Sequence, residues 1–253
     1  MSNFGASVGW GALVGASLLA GAVVAVTAAL ADRVAALVTA FGGGLLLSAV
    51  AFELVPEADV RAGIGPTTGG LVAGTLLFVG ADAWLSRSEG RMRRFRHAAA
   101  AGRQMPMPRH TAEAARGEAI AAGLFVDGVP ESVALGLTIA EGEVGLALLV
   151  GVVVGNVVEA YGAAQPIVMG GHPKRFALVL LGGIGLALAG ATVLGGTVLA
   201  DASDDLVGTA EAVAAGAVLA VVSIAIIPHA FEEVSRLVAT ATVAGFAAGY
   251  LLS

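Results

Sequence analysis

Apolar residues run through this chain in blocks too long and too continuous for the core of a soluble domain. Between short polar breaks the sequence is almost wholly Ala, Val, Leu, Ile and Gly for about 20 residues at a time. That is the length that carries an α-helix across ~30 Å of hydrocarbon at 1.5 Å per residue. The roughly 10-residue alternating segments of an outer-membrane barrel are missing. The breaks predict eight spanning helices, over about 8–30, 34–55, 68–86, 116–140, 144–170, 176–200, 207–228 and 233–252, with ends good to a few residues. The first apolar run starts near Val8 with no basic segment before it, so it reads as a retained span. The whole chain, 1–253, reads as a single transmembrane domain. Its one long polar stretch, about 87–115, lies between the third and fourth spans. It holds Arg87, Arg91, Arg93, Arg94, Arg96, Arg103 and Arg109, with His97, His110 and a Met-Pro-Met-Pro run. That charge and proline content predict a mostly flexible loop.

Composition agrees. Hydrophobic residues make up 57% and charged residues 13%, with a mean hydropathy of +0.90. A soluble domain carries ~25% charged residues. These values exclude a disordered chain, a nucleic-acid binder and an ordinary soluble enzyme, and make the lipid bilayer the first partner. With no Cys there is neither a disulfide framework nor a thiolate metal site.

Basic residues orient the helices. If the Arg-rich stretch is cytoplasmic, then Arg33, Lys174, Arg175 and Arg236 also fall inside. The acidic turns at Glu141/Glu143 and Asp201/Asp204/Asp205 fall outside. Both termini are then outside, and only Arg61, beside Glu57 and Asp59, breaks the pattern.

Three acids lie where an ionised group is costly and marks a pathway by default: Asp127 and Glu131 in the fourth span, and Glu159 in the fifth. Asp127 and Glu131 are four apart and share a helix face, as do Asn156 and Glu159, three apart. Asp127 lies ~22 Å before the intervening turn and Glu159 ~25 Å after it along the helices. The two polar faces therefore meet near the midplane, where transporter sites lie. The segments also align: Asp127-Gly128-Val129-Pro130-Glu131-Ser132 with Gly155-Asn156-Val157-Val158-Glu159-Ala160. Pro130 has no N–H, which leaves the Val126 carbonyl without its helical partner. Carboxylates, an amide and a spare carbonyl make an oxygen-rich cation site. The plainer readings are a protonated, hydrogen-bonded pair of glutamic acids, an interhelical Asn, and an Asp127 that caps a helix broken at Pro130.

At these residues the chain resembles the ZIP family of divalent-metal transporters, whose fourth and fifth helices carry His-Asn-x-Pro-Glu-Gly motifs. Pro130, Glu131, Asn156 and Glu159 match; Asp127, Gly128 and Gly155 stand where the pattern has His, Asn and His. Glu53-Leu54-Val55-Pro56-Glu57-Ala58 is similar to a Leu-Pro-Glu-Ala signature of the second helix. Pro228-His229-Ala230-Phe231-Glu232-Glu233 sits in the corresponding place between the last two. The resemblance implies an all-α, 3+2+3 bundle with spans 1–3 and 6–8 as inverted repeats around spans 4 and 5. It also implies elevator-like movement of divalent cations toward the cytoplasm, a plasma-membrane location and, often, a homodimer. The cation (Zn²⁺, Mn²⁺, Fe²⁺ or Cd²⁺) is then a substrate, held by Asp127, Glu131, Asn156 and Glu159, with Glu118 and Glu53 as lesser candidates on the exit and entry sides. The missing imidazoles predict weaker Zn²⁺ preference, because carboxylate and amide oxygens suit harder ions.

Other polar residues have plainer readings. Glu211 and Asp82 read as interfacial, Gln165 and Pro166 as packing or a kink, His172 as a loop residue, and Glu53 as a cap shared with Glu57. His229 with Glu232 and Glu233 is a candidate inner-face site. An intramembrane metalloprotease is disfavoured because no His-Glu-x-x-His occurs. The remaining rivals are a channel, a carrier of a non-metal substrate, and a relative that binds metal without moving it.

Overall fold

The computed structural model describes residues 3–28, 31–101, 109–140, 142, 146–199 and 202–253. Side chains at 3, 32, 82, 84–101, 109–113, 115–116, 119, 126–127 and 199 lie outside that description. Every described element is helical: α1 (Asn3–Thr27), α2 (Asp32–Ala49), α3 (Val55–Ala62), α4 (Ile64–Ala101), α5 (Arg109–Ala140), α6 (Leu146–Met169), α7 (Lys174–Leu194), α8 (Asp204–Val221), α9 (Ile227–Val234) and α10 (Leu237–Leu252). Short π turns at Val50–Leu54 and Val222–Ile226 join α2 to α3 and α8 to α9, and a third, Gly195–Leu199, extends α7. Counted through these joints, seven helices are long and apolar enough to cross a membrane. The eighth, α10, is apolar but has 16 residues. Large apolar side chains such as Leu76, Val179, Leu186 and Leu251 face outward, as a bilayer-embedded bundle requires. The architecture is that of a multi-pass membrane protein.

The second and seventh spans run further than their prolines predict. Pro56 and Pro228 suggest helix ends, yet the helices continue to Ala62 and Val234. A proline inside a helix removes one N–H and clashes with the carbonyl four residues back. A π turn just before it adds a residue to the turn and relieves that clash. Here Val55 N–H bonds to the Val50 carbonyl and Ile227 N–H to the Val222 carbonyl, five residues back in both cases. The helical backbone of α4 and α5 likewise reaches Ala101 and starts again at Arg109, so most of the segment expected to be a flexible loop is helix. The backbone of α5 is helical straight through Pro130, so no broken helix end is present for Asp127 to cap.

Close packing is glycine-driven and repeats itself. α2 packs on α10, α4 on α8 and α1 on α7. At the first crossing a Cβ on Gly44 would collide with the Thr242 carbonyl oxygen, and one on Gly245 with that of Phe41. At the second, Gly216 stands against the Leu71 carbonyl oxygen and Gly74 against that of Val213. Adding 172 to Gly44 gives Gly216, and adding 171 to Gly74 gives Gly245. The same shift of 172 turns the joint Val50–Leu54 with Pro56 into Val222–Ile226 with Pro228, and α3 into α9. At the α1–α7 crossing Gly15 and Gly185 face each other, each Cβ position 2.8 Å from the other's carbonyl oxygen.

Candidate functional site

α5 and α6 lie side by side at the centre, each touching α1, α2, α7 or α8 as well. Burial of α5 is nearly complete from Glu131 to Ile139, and of α6 from Ala147 to Val152. Glu131 is 6% exposed, Ser132 0% and Asn156 2%, so a carboxylate, a hydroxyl and an amide sit inside an apolar bundle. The Asn156 Nδ2 is buried without a hydrogen-bond partner. Such an orphan costs about 1–3 kcal/mol and marks a polar group kept for more than packing. Asp127 lies outside the described side chains.

Glu159 is reached by solvent. A cavity of about 670 Å³ has Glu159, Gly162, Gln165 and Met169 of α6 along one wall, with room for roughly twenty waters at ~30 Å³ each. Ile120, Gly123 and Leu124 of α5 form a second wall, and Ala35, Ala36 and Thr39 of α2 a third. His229 and Glu233, one turn apart on α9, complete it. The cavity opens where α2 starts and α6 and α9 end. That is the end that carries Lys174, Arg175 and Arg236. Glu131 and Asn156 are not among the lining residues; they lie in the packed region behind it.

The two lesser candidates are engaged elsewhere. Glu53 accepts the Ala147 and Leu148 N–H groups at 3.3 and 3.4 Å. It thus caps α6 across the bundle rather than its own helix end, a favourable place for a negative charge. Glu118 pairs at 3.3 Å with His172, whose ring stacks on Phe176 with centroids 4.5 Å apart; it is absent from the cavity wall.

Two expectations change. Glu211 is not interfacial: it is 0% exposed and its carboxylate lies 3.7 Å from Arg61 Nε. Arg61 also contacts Glu57 at 3.1 Å and Asp204 at 3.8 Å, so the one basic residue that breaks the charge pattern stands among three acids. Gln165 and Pro166 line the cavity rather than merely packing. One signal for them was present, because Glu159, Gly162, Pro166 and Met169 follow the spacing of a single helix face. His97 and His110 lie outside the described side chains.

The positions that depart from the ZIP motif differ in the space around them. A Cβ on Gly155 would meet nothing within 4 Å, whereas one on Gly128 would stand 2.6 Å from Leu188 Cδ1. No protein-family model matches the chain, and no curated protein matches it in sequence. Among the described residues no group of three or more His, Asp or Glu side chains is placed to hold a metal ion. Glu131, Asn156 and Glu159 instead offer oxygen donors in sequence, from the packed centre to the cavity.

Proposed function

We propose that this protein is a divalent-cation transporter of the ZIP type. It moves ions toward the cytoplasm through Asp127, Glu131, Asn156 and Glu159. The observation that carries the reading is the cavity of about 670 Å³ that ends on Glu159, one helical turn from Asn156, whose buried Nδ2 has no hydrogen-bond partner. An ionisable wall in a membrane bundle favours a cationic cargo over a neutral or anionic one, and oxygen donors suit a hard or intermediate divalent ion. Water in the cavity completes the coordination shell that three separated side chains leave open. The shift of 172 that relates the π turns and the prolines, and of 171 to 172 that relates the glycine crossings, supports inverted repeats around α5 and α6. Alternation between two such repeats, with α5 and α6 moving as the carrier unit, is the transport mode we infer. A homodimer in the plasma membrane belongs to the same reading.

The alternative is a ZIP-like protein with a non-metal substrate or with binding but no transport. Equilibrium binding of Mn²⁺ and Cd²⁺ to purified protein, with and without Glu159→Ala, separates the two. The proposal expects saturable binding that the substitution weakens at least tenfold, ~1.4 kcal/mol. Equal binding by both proteins refutes the site.

A further inference from the structure

The cavity opens at one end only by virtue of small differences between two related halves, and the residues that differ name a device. Shifting cavity-lining Ala36, Thr39, His229 and Glu233 by 172 gives Gly208, Glu211, Glu57 and Arg61 at the opposite end of the bundle. Gly208 and Glu211 lie on α8, and Glu57 and Arg61 on α3, which packs against it. Gly208 seats α3, with its Cβ position 2.8 Å from Arg61 Cβ and 3.0 Å from the Ala58 carbonyl oxygen. Arg61 reaches Glu57 at 3.1 Å and Glu211 at 3.7 Å. The central helices follow suit. Moving Gly123, Leu124, Gly162 and Gln165 between α5 and α6 by their 28-residue alignment gives Gly151, Val152, Ala134 and Leu137, all buried. Where one half has a cavity, the other has a guanidinium among carboxylates over a packed floor.

We propose that Arg61 is the plug of a second vestibule, the counterpart of the open cavity, and that its ion pair with Glu211 holds the protein in the state seen here. The pair is a two-state element: Glu211 is fully buried with its carboxylate 3.7 Å from Arg61 Nε, and a vestibule opening between α3 and α8 separates the two. Removing the Arg61 charge alone leaves the buried Glu211 without its cation, whereas Arg61 without Glu211 keeps Glu57 and Asp204. Removing both leaves a neutral contact that parts readily. The inference uses the transport reading only for its purpose, since the closure itself is a matter of geometry.

The chain has no cysteine, so single cysteines report each end by their rate of reaction with a water-soluble maleimide in detergent or nanodiscs. Gly162→Cys sits in the open cavity with space around it. Thr138→Cys replaces a side chain that is 8% exposed in the packed half. In the otherwise native protein the first reacts fast and the second slowly. With Arg61→Gln and Glu211→Gln together, Thr138→Cys is expected to react about tenfold faster, a shift of ~1.4 kcal/mol, while Gly162→Cys slows. Unchanged rates overturn the proposal. A rise at both sites also overturns it, because that is a loosened fold rather than a plug withdrawn. If the double variant does not elute as a folded protein, Arg61→Lys decides by the same criteria, with a smaller opposed change expected. No cargo enters the assay. Opposed rate changes without ion flux sink the transport reading and leave the plug standing; flux with unchanged rates does the reverse.

Discussion

Gly155→His tests whether the site accepts the imidazole it lacks. The substitution is sterically open, since a Cβ there meets nothing within 4 Å. It also replaces a helix-interior glycine with a better helix former, worth roughly 0.3 kcal/mol. The new ring stands four residues before Glu159, on the same face, and adds a ligand that suits Zn²⁺. Gly128→Asn is the contrasting case. Its Cβ would lie 2.6 Å from Leu188 Cδ1, and Leu188 is fully buried in the main apolar cluster, so its side chain moves only by disturbing neighbours. Such overpacking costs about 1–3 kcal/mol. Thermal unfolding in detergent, followed by tryptophan fluorescence, should place Gly155→His at or above the native protein and Gly128→Asn below it. Competitive binding should show the Zn²⁺-to-Mn²⁺ preference of Gly155→His raised at least tenfold, ~1.4 kcal/mol. Equal destabilisation by the two variants refutes the packing argument. An unchanged ion preference refutes the placement of position 155 at the site.

Three further outcomes follow from the packing. Gly74→Val and Gly245→Val drive a side chain into the carbonyls of Val213 and Phe41, so each should lower stability by about 1–3 kcal/mol or prevent folding, measured by thermal unfolding; tolerance of both would refute the paired crossings. Glu53→Gln removes the negative charge at the start of α6 and should cost about 0.5–1 kcal/mol without abolishing divalent-ion binding; loss of binding would make Glu53 a ligand. Glu118→Gln breaks a half-exposed pair with His172 and should change stability by no more than ~1 kcal/mol, with ion binding unaltered.

Much of the fold was legible because a bilayer imposes a length on every apolar run. Of the eight expected spans, seven are described helices long and apolar enough to cross a membrane, and the last is an apolar helix of 16 residues. Their ends were less legible at Pro56 and Pro228, where proline is a stop signal by local rules and a π turn cancels it. That cancellation depends on the surrounding packing, and hydropathy does not report it. Glu131 and Asn156, two of the four expected ligands, are buried in the bundle. Glu211 was misjudged because its partner, Arg61, is 150 residues away in sequence; only the packing of α3 on α8 brings them together. Glu53 shows the same limit, since it caps a helix that begins more than 90 residues later. The cavity wall from Glu159 to Met169 was written in helical spacing, but glycines at 123 and 162 read equally well as packing until the neighbouring helices stand apart.

The central claim is that Glu131 and Glu159 carry a divalent cation through the bundle. Flux of Zn²⁺, Mn²⁺, Fe²⁺, Cd²⁺ and Mg²⁺ into proteoliposomes, native protein against Glu131→Ala, tests it most directly. The account predicts saturable flux of one or more of these ions, mutual competition among them, and loss of flux in a variant that still folds. Native-level flux in Glu131→Ala, or no flux of any ion through the native protein, would contradict it.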